Sequence, residues 1–209
     1  MDRPARQRGG GDPGDTPALD ARVRALLDQG DLAGAIDLAI RGVHARVIRY
    51  IRSVVRDEDL AGEAYSELAE DLCRGLPGFR WQASLLTWCF RLAHHACLRV
   101  KDDAWRRRRV PLSRGPASRL AESLRIADTP ARLEGHARRL ERLRARLTVE
   151  EQSLLALRVD QELAWAEIAL VFHENGDDVH VNALQKRWQR LREKLSALHR
   201  EDGEEDGEE

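Results

Sequence analysis

Cysteine is scarce in this chain: three of 209 residues, Cys73, Cys89 and Cys97, with no CxxC pair among them. An odd number of thiols without paired spacing argues against a disulfide framework, so they read as small buried side chains. Long apolar runs are also missing. The longest stretch without a charged side chain covers residues 81–90, well short of the roughly 20 apolar residues that a membrane-spanning helix needs. The first residues, MDRPARQRGGGDPGD, lack the apolar core of a secretory signal. No membrane insertion is expected, and the expected location is cytoplasmic. A Gly-rich phosphate loop, a GxSxG elbow and an HExxH helix are all absent. No enzyme, no catalytic residue and no cofactor is therefore expected. His94, His95 and Cys97 cluster, but only His94 and Cys97, at i and i+3, can share a helix face, with Cys73 a third ligand only through the tertiary fold. No metal site is expected from that spacing.

What the chain has in quantity is charge, and it is sorted. Lys and Arg number 35 against 36 Asp and Glu, a formal −1. The last nine residues, EDGEEDGEE, hold seven of those acids, leaving 35 bases against 29 acids, or +6, in residues 1–200. Residues 57–71 contain seven acids and no Lys or Arg. Residues 80–109 contain eight bases and two acids, and residues 185–200 six bases and one acid. Blocks of opposite sign point to two partners of opposite character. Lysine is rare, three of the 35 bases, and abundant arginine of this kind also follows from GC-rich coding, so it is weak support for phosphate binding by itself.

The hydrophobic pattern is helical throughout. Residues 1–15 are Gly, Pro and charge and are expected to be disordered. Thr16-Pro17 reads as an N-cap with proline in the first turn, opening a short helix that stops near Gly30. Asp31 caps a longer helix with Ile36, Ile40, Val43, Val47, Ile51 and Val54 on one face. A third follows Asp57 with Leu60, Ala64, Leu68 and Leu72 inward, and Gly75, Pro77 and Gly78 break it. A fourth is expected from Ala83-Ser84 to Arg109, with Leu85, Trp88, Leu92 and Ala96 inward. Its last eleven residues would project as a basic arm carrying Trp105. Residues 110–130, with three prolines, read as a linker. A second helical set follows at 131–147, 150–159, 165–173 and 181–199, then an acidic tail at 201–209. The expected fold is all-α: two small helical domains, 16–109 and 131–200, joined by a flexible linker, the C-terminal one with a helix-turn-helix.

Three constellations carry chemistry. Asp59, Glu63, Glu67 and Glu70 step along one helix edge. Like charges at i+4 cost about 0.2–0.5 kcal/mol per pair, tolerable on a solvated face and offset by a basic partner. Acids near the helix start also favour the macrodipole. Next, FRWQASLLTW at 79–88 sets Phe79, Arg80, Trp81 and Ser84 at a loop–helix junction. Bases of single-stranded nucleic acid stack on exposed rings for about 1–3 kcal/mol each while guanidinium groups hold phosphates. Trp88 reads as core; Phe79 and Trp81 are the better candidates for contact. Last, VNALQKRWQRLREKL has an inward stripe of Leu184, Trp188, Leu191 and Leu195. Its polar face carries Asn182, Gln185, Lys186, Arg187 and Arg190, the residue types that read base edges from a helix in the major groove. An ordinary basic helix closing a bundle would show the same pattern.

In this order, the parts resemble the sigma-70 family, most closely its small extracytoplasmic-function (ECF) branch, over roughly residues 18–200. EDLAGEAY at 58–65 resembles the run that binds the clamp helices of the polymerase β′ subunit, which implies core-polymerase contacts at Asp59, Glu63 and Glu67. LPGFRWQASLLTWCFRLAHHACL at 76–98 resembles the segment that opens the −10 element and captures a flipped base. The resemblance extends −10 contacts to Phe79, Arg80, Trp81, Ser84, Arg99, Lys101, Arg106, Arg107, Arg108 and Arg109. LTVEEQSLLALR followed by WAEIALVF resembles the start of the fourth region. NALQKRWQRLREKL would then be the recognition helix for the −35 element, through Asn182, Gln185, Lys186, Arg187 and Arg190. The implied partners are core RNA polymerase, at its β′ clamp helices and β flap, promoter DNA, and an anti-sigma protein. The chain departs from the family at Gly62, where the clamp motif usually carries Gln; at 173–180, a turn about five residues longer than usual; and in the acidic tail, which could compete with DNA for the recognition helix. Two rival expectations stand beside this one. A stand-alone helix-turn-helix regulator would bind duplex DNA without polymerase. A sigma-shaped adaptor or decoy would bind polymerase or a regulator and initiate nothing.

Overall fold

The computed structural model describes residues 16–109, 142–173 and 180–205. Among them there are helices and turns and no strand, so the fold is all-α. The expected disordered N-terminus, the linker, most of the 131–147 helix and most of the long turn at 173–180 lie outside the described residues.

Local chemistry sets the first four helices. Helix α1, Thr16–Asp28, includes Thr16 in its first turn, and the chain turns at Gly30, whose φ of 78° suits glycine. Helix α2, Leu32–Val55, starts where the Asp31 carboxylate accepts from the Gly34 N–H at 2.9 Å and ends at Arg56 in the left-handed region. Helix α3, Glu58–Gly75, starts where Asp57 accepts from the Asp59 and Leu60 N–H groups. A single 3-10 turn, Leu76–Gly78, follows. Helix α4, Leu85–Arg109, begins just after Ser84, whose hydroxyl accepts from the Thr87 N–H at 3.0 Å.

The second set opens with helical residues 142–145. Helix α5, Val149–Leu155, starts on a capping box in which Thr148 and Glu151 satisfy each other's backbone N–H. The helix expected at 150–159 is two pieces, because the coil widens to a π-type turn over Ala156–Asp160. Helix α6 is Trp165–Val171. Helix α7, Val181–Glu205, runs six residues beyond the expected end at 199, into the acidic tail.

Helix α4 is the centre of the molecule, and its buried face differs from the expected stripe. Leu85 and Ala96 are buried as anticipated, whereas Trp88 and Leu92 are half-buried. Cys89, Phe90, Ala93, His94, Cys97 and Val100 are buried instead. The cause is two-sided packing: α2 and α3 cover one side and α6 the other, so no single stripe describes it. Both sets contribute to one continuous core. Of the thiols, Cys89 and Cys97 are buried as read, but Cys73 on α3 is exposed. Burial raises the Cys89 thiol strongly and pushes Cys97 up to about 12, which leaves both unreactive.

Polar ties also cross between the two sets, beside this shared apolar core. Tyr50 of α2 donates to Ser153 Oγ of α5 at 3.0 Å, and Ser153 Oγ lies 3.1 Å from His94 Nδ1 on α4. Arg46 of α2 donates to Gln161 at 3.2 Å, and Thr87 of α4 to Glu167 of α6 at 3.3 Å.

Candidate nucleic-acid interface

Helix α1 fixes the aromatic hinge at residues 79–84. Its Asp20 accepts the Leu85 N–H at 3.1 Å, tying the start of α4 to α1. Burial raises the Asp20 carboxyl, partly offset by that hydrogen bond and by Arg24. One turn further along α1, the Arg24 guanidinium sits over the Trp81 ring at 4.5 Å. Phe79 stacks on Trp88 with centroids 4.5 Å apart and an 18° tilt, and meets Trp81 at 4.8 Å. Trp88 can lie against the end of α3 because Gly75 has no side chain; a Cβ there would stand 2.9 Å from the indole. Trp81 itself has φ 57°, a left-handed conformation that costs a bulky residue about 1–2 kcal/mol. Its surroundings hold it there.

Beside this ring cluster lies a pocket of 350 Å³ lined by Phe79, Arg80, Trp88 and Arg91, with Leu170 of α6 on its rim. Arg80 is exposed, Arg91 half-buried, and Leu170 an exposed apolar side chain. The expected contact residues Phe79, Trp81 and Ser84 are half-buried. Of the two rings expected to be free, Phe79 is a wall of the pocket, whereas Trp81 packs outside it between Phe79 and Arg24. Trp88, expected to be core, is another wall.

The rest of the expected −10 set is dispersed along α4. Arg99 donates to Glu67 and to Asp71 of α3, each at 2.7 Å. Arg99 and Glu67, expected to face opposite partners, therefore engage each other. Lys101 is half-buried; Arg106 is exposed and pairs with Asp102 at 3.1 Å. Trp105 is 53% exposed on the arm. The side chains of Arg107, Arg108 and Arg109 lie outside the described residues. On the acidic edge Asp59, Glu63 and Glu70 are exposed.

All five expected recognition residues on α7, Asn182, Gln185, Lys186, Arg187 and Arg190, are exposed, while Leu184 and Leu191 are buried. Trp188 meets Trp165 of α6 edge-on at 6.4 Å. The five do not share one face. Gln185 lines a groove of 590 Å³ with Trp165, Trp188 and Arg192. Arg187 and Arg190 line a separate cleft with His94 and Phe172. The tail's Glu201 pairs with Arg146 at 3.0 Å.

Sequence reasoning missed Asp20, Arg24, Arg91, Glu167 and Leu170. Each reaches the hinge or its pocket through tertiary packing. Arg91 alone had a local signal, one turn beyond Trp88 on the same helix face. Among the described residues, no group of His, Cys, Asp and Glu is placed to hold a metal ion, and no helix is long and apolar enough to cross a membrane. No family model matches the chain, and no curated protein matches it.

Proposed function

We propose that this protein is an alternative, ECF-type sigma factor that binds core RNA polymerase and directs promoter-specific initiation. The observation that carries this reading is the junction of α3 and α4. There three aromatic rings, the Arg24 guanidinium and a 350 Å³ pocket flanked by Arg80 and Arg91 are held together. Aromatic rings beside guanidinium groups suit an unpaired base and its phosphates. The acidic edge of α3, with Asp59 and Glu63 exposed, suits a basic partner surface and is the polymerase side of the molecule. The basic α7 is the −35 side.

Strand opening in this reading is non-enzymatic. Capture of a flipped base offsets part of the few kcal/mol that unstacking costs, and Phe79, Trp81 and Trp88 supply the receiving surface. Leu170 of α6 lines the pocket and Glu167 is bonded to Thr87, so in this reading movement of α6 off α4 widens a strand's access to it. Polymerase binding is the step that would separate the two helical sets.

The test is open-complex formation on a supercoiled promoter, followed by permanganate reactivity of unpaired thymines. Trp81→Ala should reduce opening about tenfold while leaving closed-complex binding within about twofold, as expected for loss of one stacking contact of about 1–3 kcal/mol. Equal loss of both would contradict a base-capture role.

A further inference from the structure

A cleft of 640 Å³ lies between α4, α5 and α7, within the roughly 300–1,000 Å³ typical of small-molecule sites. Its cationic wall is α7, where spacings of three and four place Arg187, Arg190 and Lys194 along one face. Its acidic wall is the first turn of α5, and those carboxylates are already engaged. Glu151 accepts from the Thr148 N–H at 2.8 Å and from Lys194 Nζ at 2.7 Å, and Glu150 from the Thr148 hydroxyl at 3.1 Å. Arg187 and Arg190 have no ion pair among the described residues. Leu154, Phe172, Leu191 and His94 form the remaining wall. His94 carries no charge at neutral pH, because burial and His95 beside it lower its pKa to about 4. The cleft therefore pairs two unanswered guanidinium groups with an apolar wall.

We propose that this cleft binds a small organic anion, its phosphate, sulfonate or carboxylate group held by Arg187 and Arg190 and its apolar body against Phe172 and Leu191. Arg187 and Arg190 come from α7 and His94, on the apolar wall, from α4, so the cleft itself spans the two helical sets. Guanidinium pairs are well matched to such oxyanions. The cleft admits one small molecule, held where the exposed Arg187 and Arg190 meet the apolar wall. The inference does not rest on the sigma reading.

The experiment titrates the full chain with anilinonaphthalene sulfonate, an apolar anion whose fluorescence rises on burial, at neutral pH and low salt. Expected are one saturable site, displacement by benzyl phosphate but not by benzyl alcohol, and a loss of about tenfold in affinity for Arg187→Ala and for Arg190→Ala, the scale of one charge-assisted hydrogen bond. Arg192→Ala, on the other groove of α7, should change affinity less than twofold. Circular dichroism of each variant checks the fold, which exposed positions should not disturb. Multi-site binding, equal affinity in the double Arg variant, or displacement by benzyl alcohol would overturn the proposal. So would Arg187-dependent displacement by an oligonucleotide where benzyl phosphate displaces nothing, since that would assign the cations to nucleic acid. Because no DNA or polymerase enters the primary titration, failure of the sigma reading would leave its outcome unchanged.

Discussion

Trp81 and His94 are each held in a state that an isolated residue would avoid, one in backbone and one in charge. Trp81 keeps φ 57°, and a large ring in that conformation is retained against a backbone cost of about 1–2 kcal/mol. Trp81→Gly should relieve the cost and leave thermal stability within about 1 kcal/mol of the parent, since the lost packing on Phe79 and Arg24 offsets the gain. Single-strand affinity, read by fluorescence anisotropy, should nevertheless fall about tenfold. His94 Nδ1 lies 3.1 Å from Ser153 Oγ at a buried seam, and its pKa there, about 4, lies below its ordinary 6.5. The packed form thus binds fewer protons than the opened one. Its stability is complete above about pH 6.5 and declines as pH falls toward 4. Melting temperatures across that window should drop more steeply for the parent than for His94→Asn, with the cleft's Glu150, Glu151, Arg187, Arg190 and Lys194 common to both. The residue types at 79–88 were legible in the sequence. Their burial was not, because Arg24, Asp20 and Leu170 arrive from helices whose placement no local pattern encodes.

Among the elements, α3 and α5 offer the sharpest tests of local physics. Gly62 is exposed in mid-helix, and a Cβ there would meet nothing within 4 Å. Gly62→Ala should therefore stabilise the protein by about 0.5–1 kcal/mol, measured by urea denaturation; destabilisation would show that a side chain at 62 strains the folded chain. Thr148→Ala removes a complete capping box and should cost about 1 kcal/mol in the same assay. Helix starts were readable at Asp31 and Asp57, where a short polar side chain does the capping, whereas the capping box at Thr148 starts α5 at Val149, one residue before the expected 150. The inward face of α4 was misread at Trp88 and Leu92, since a helix covered from two sides has no single stripe. The widened turn at Ala156–Asp160 has no counterpart in hydrophobic spacing, and the helical period runs through it without a break. The extension of α7 to Glu205 was obscured by its acidic composition.

Across the whole molecule, the seam decides what the surfaces can do. Two helical sets were legible as separate periodic blocks, but their direct packing was not, because its polar ties join residues as far apart in sequence as Arg46 and Gln161. Covalent closure should act as an inhibitor: with Cys73→Ser, the pair Thr87→Cys and Glu167→Cys, joined by a short bifunctional thiol linker, should lose strand opening and regain it when the linker is cleaved. Undiminished opening in the linked protein would mean that α6 need not leave α4. In the proposed function, the acidic edge of α3 delivers this chain to polymerase. Transcription by purified core polymerase on a library of promoter fragments, with and without the protein, tests it most directly. Expected are sequence-specific transcripts that require the protein and vanish with Glu63→Arg while circular dichroism stays unchanged. Failure of the wild-type chain to associate with its core polymerase, or association that yields no transcripts, would contradict it.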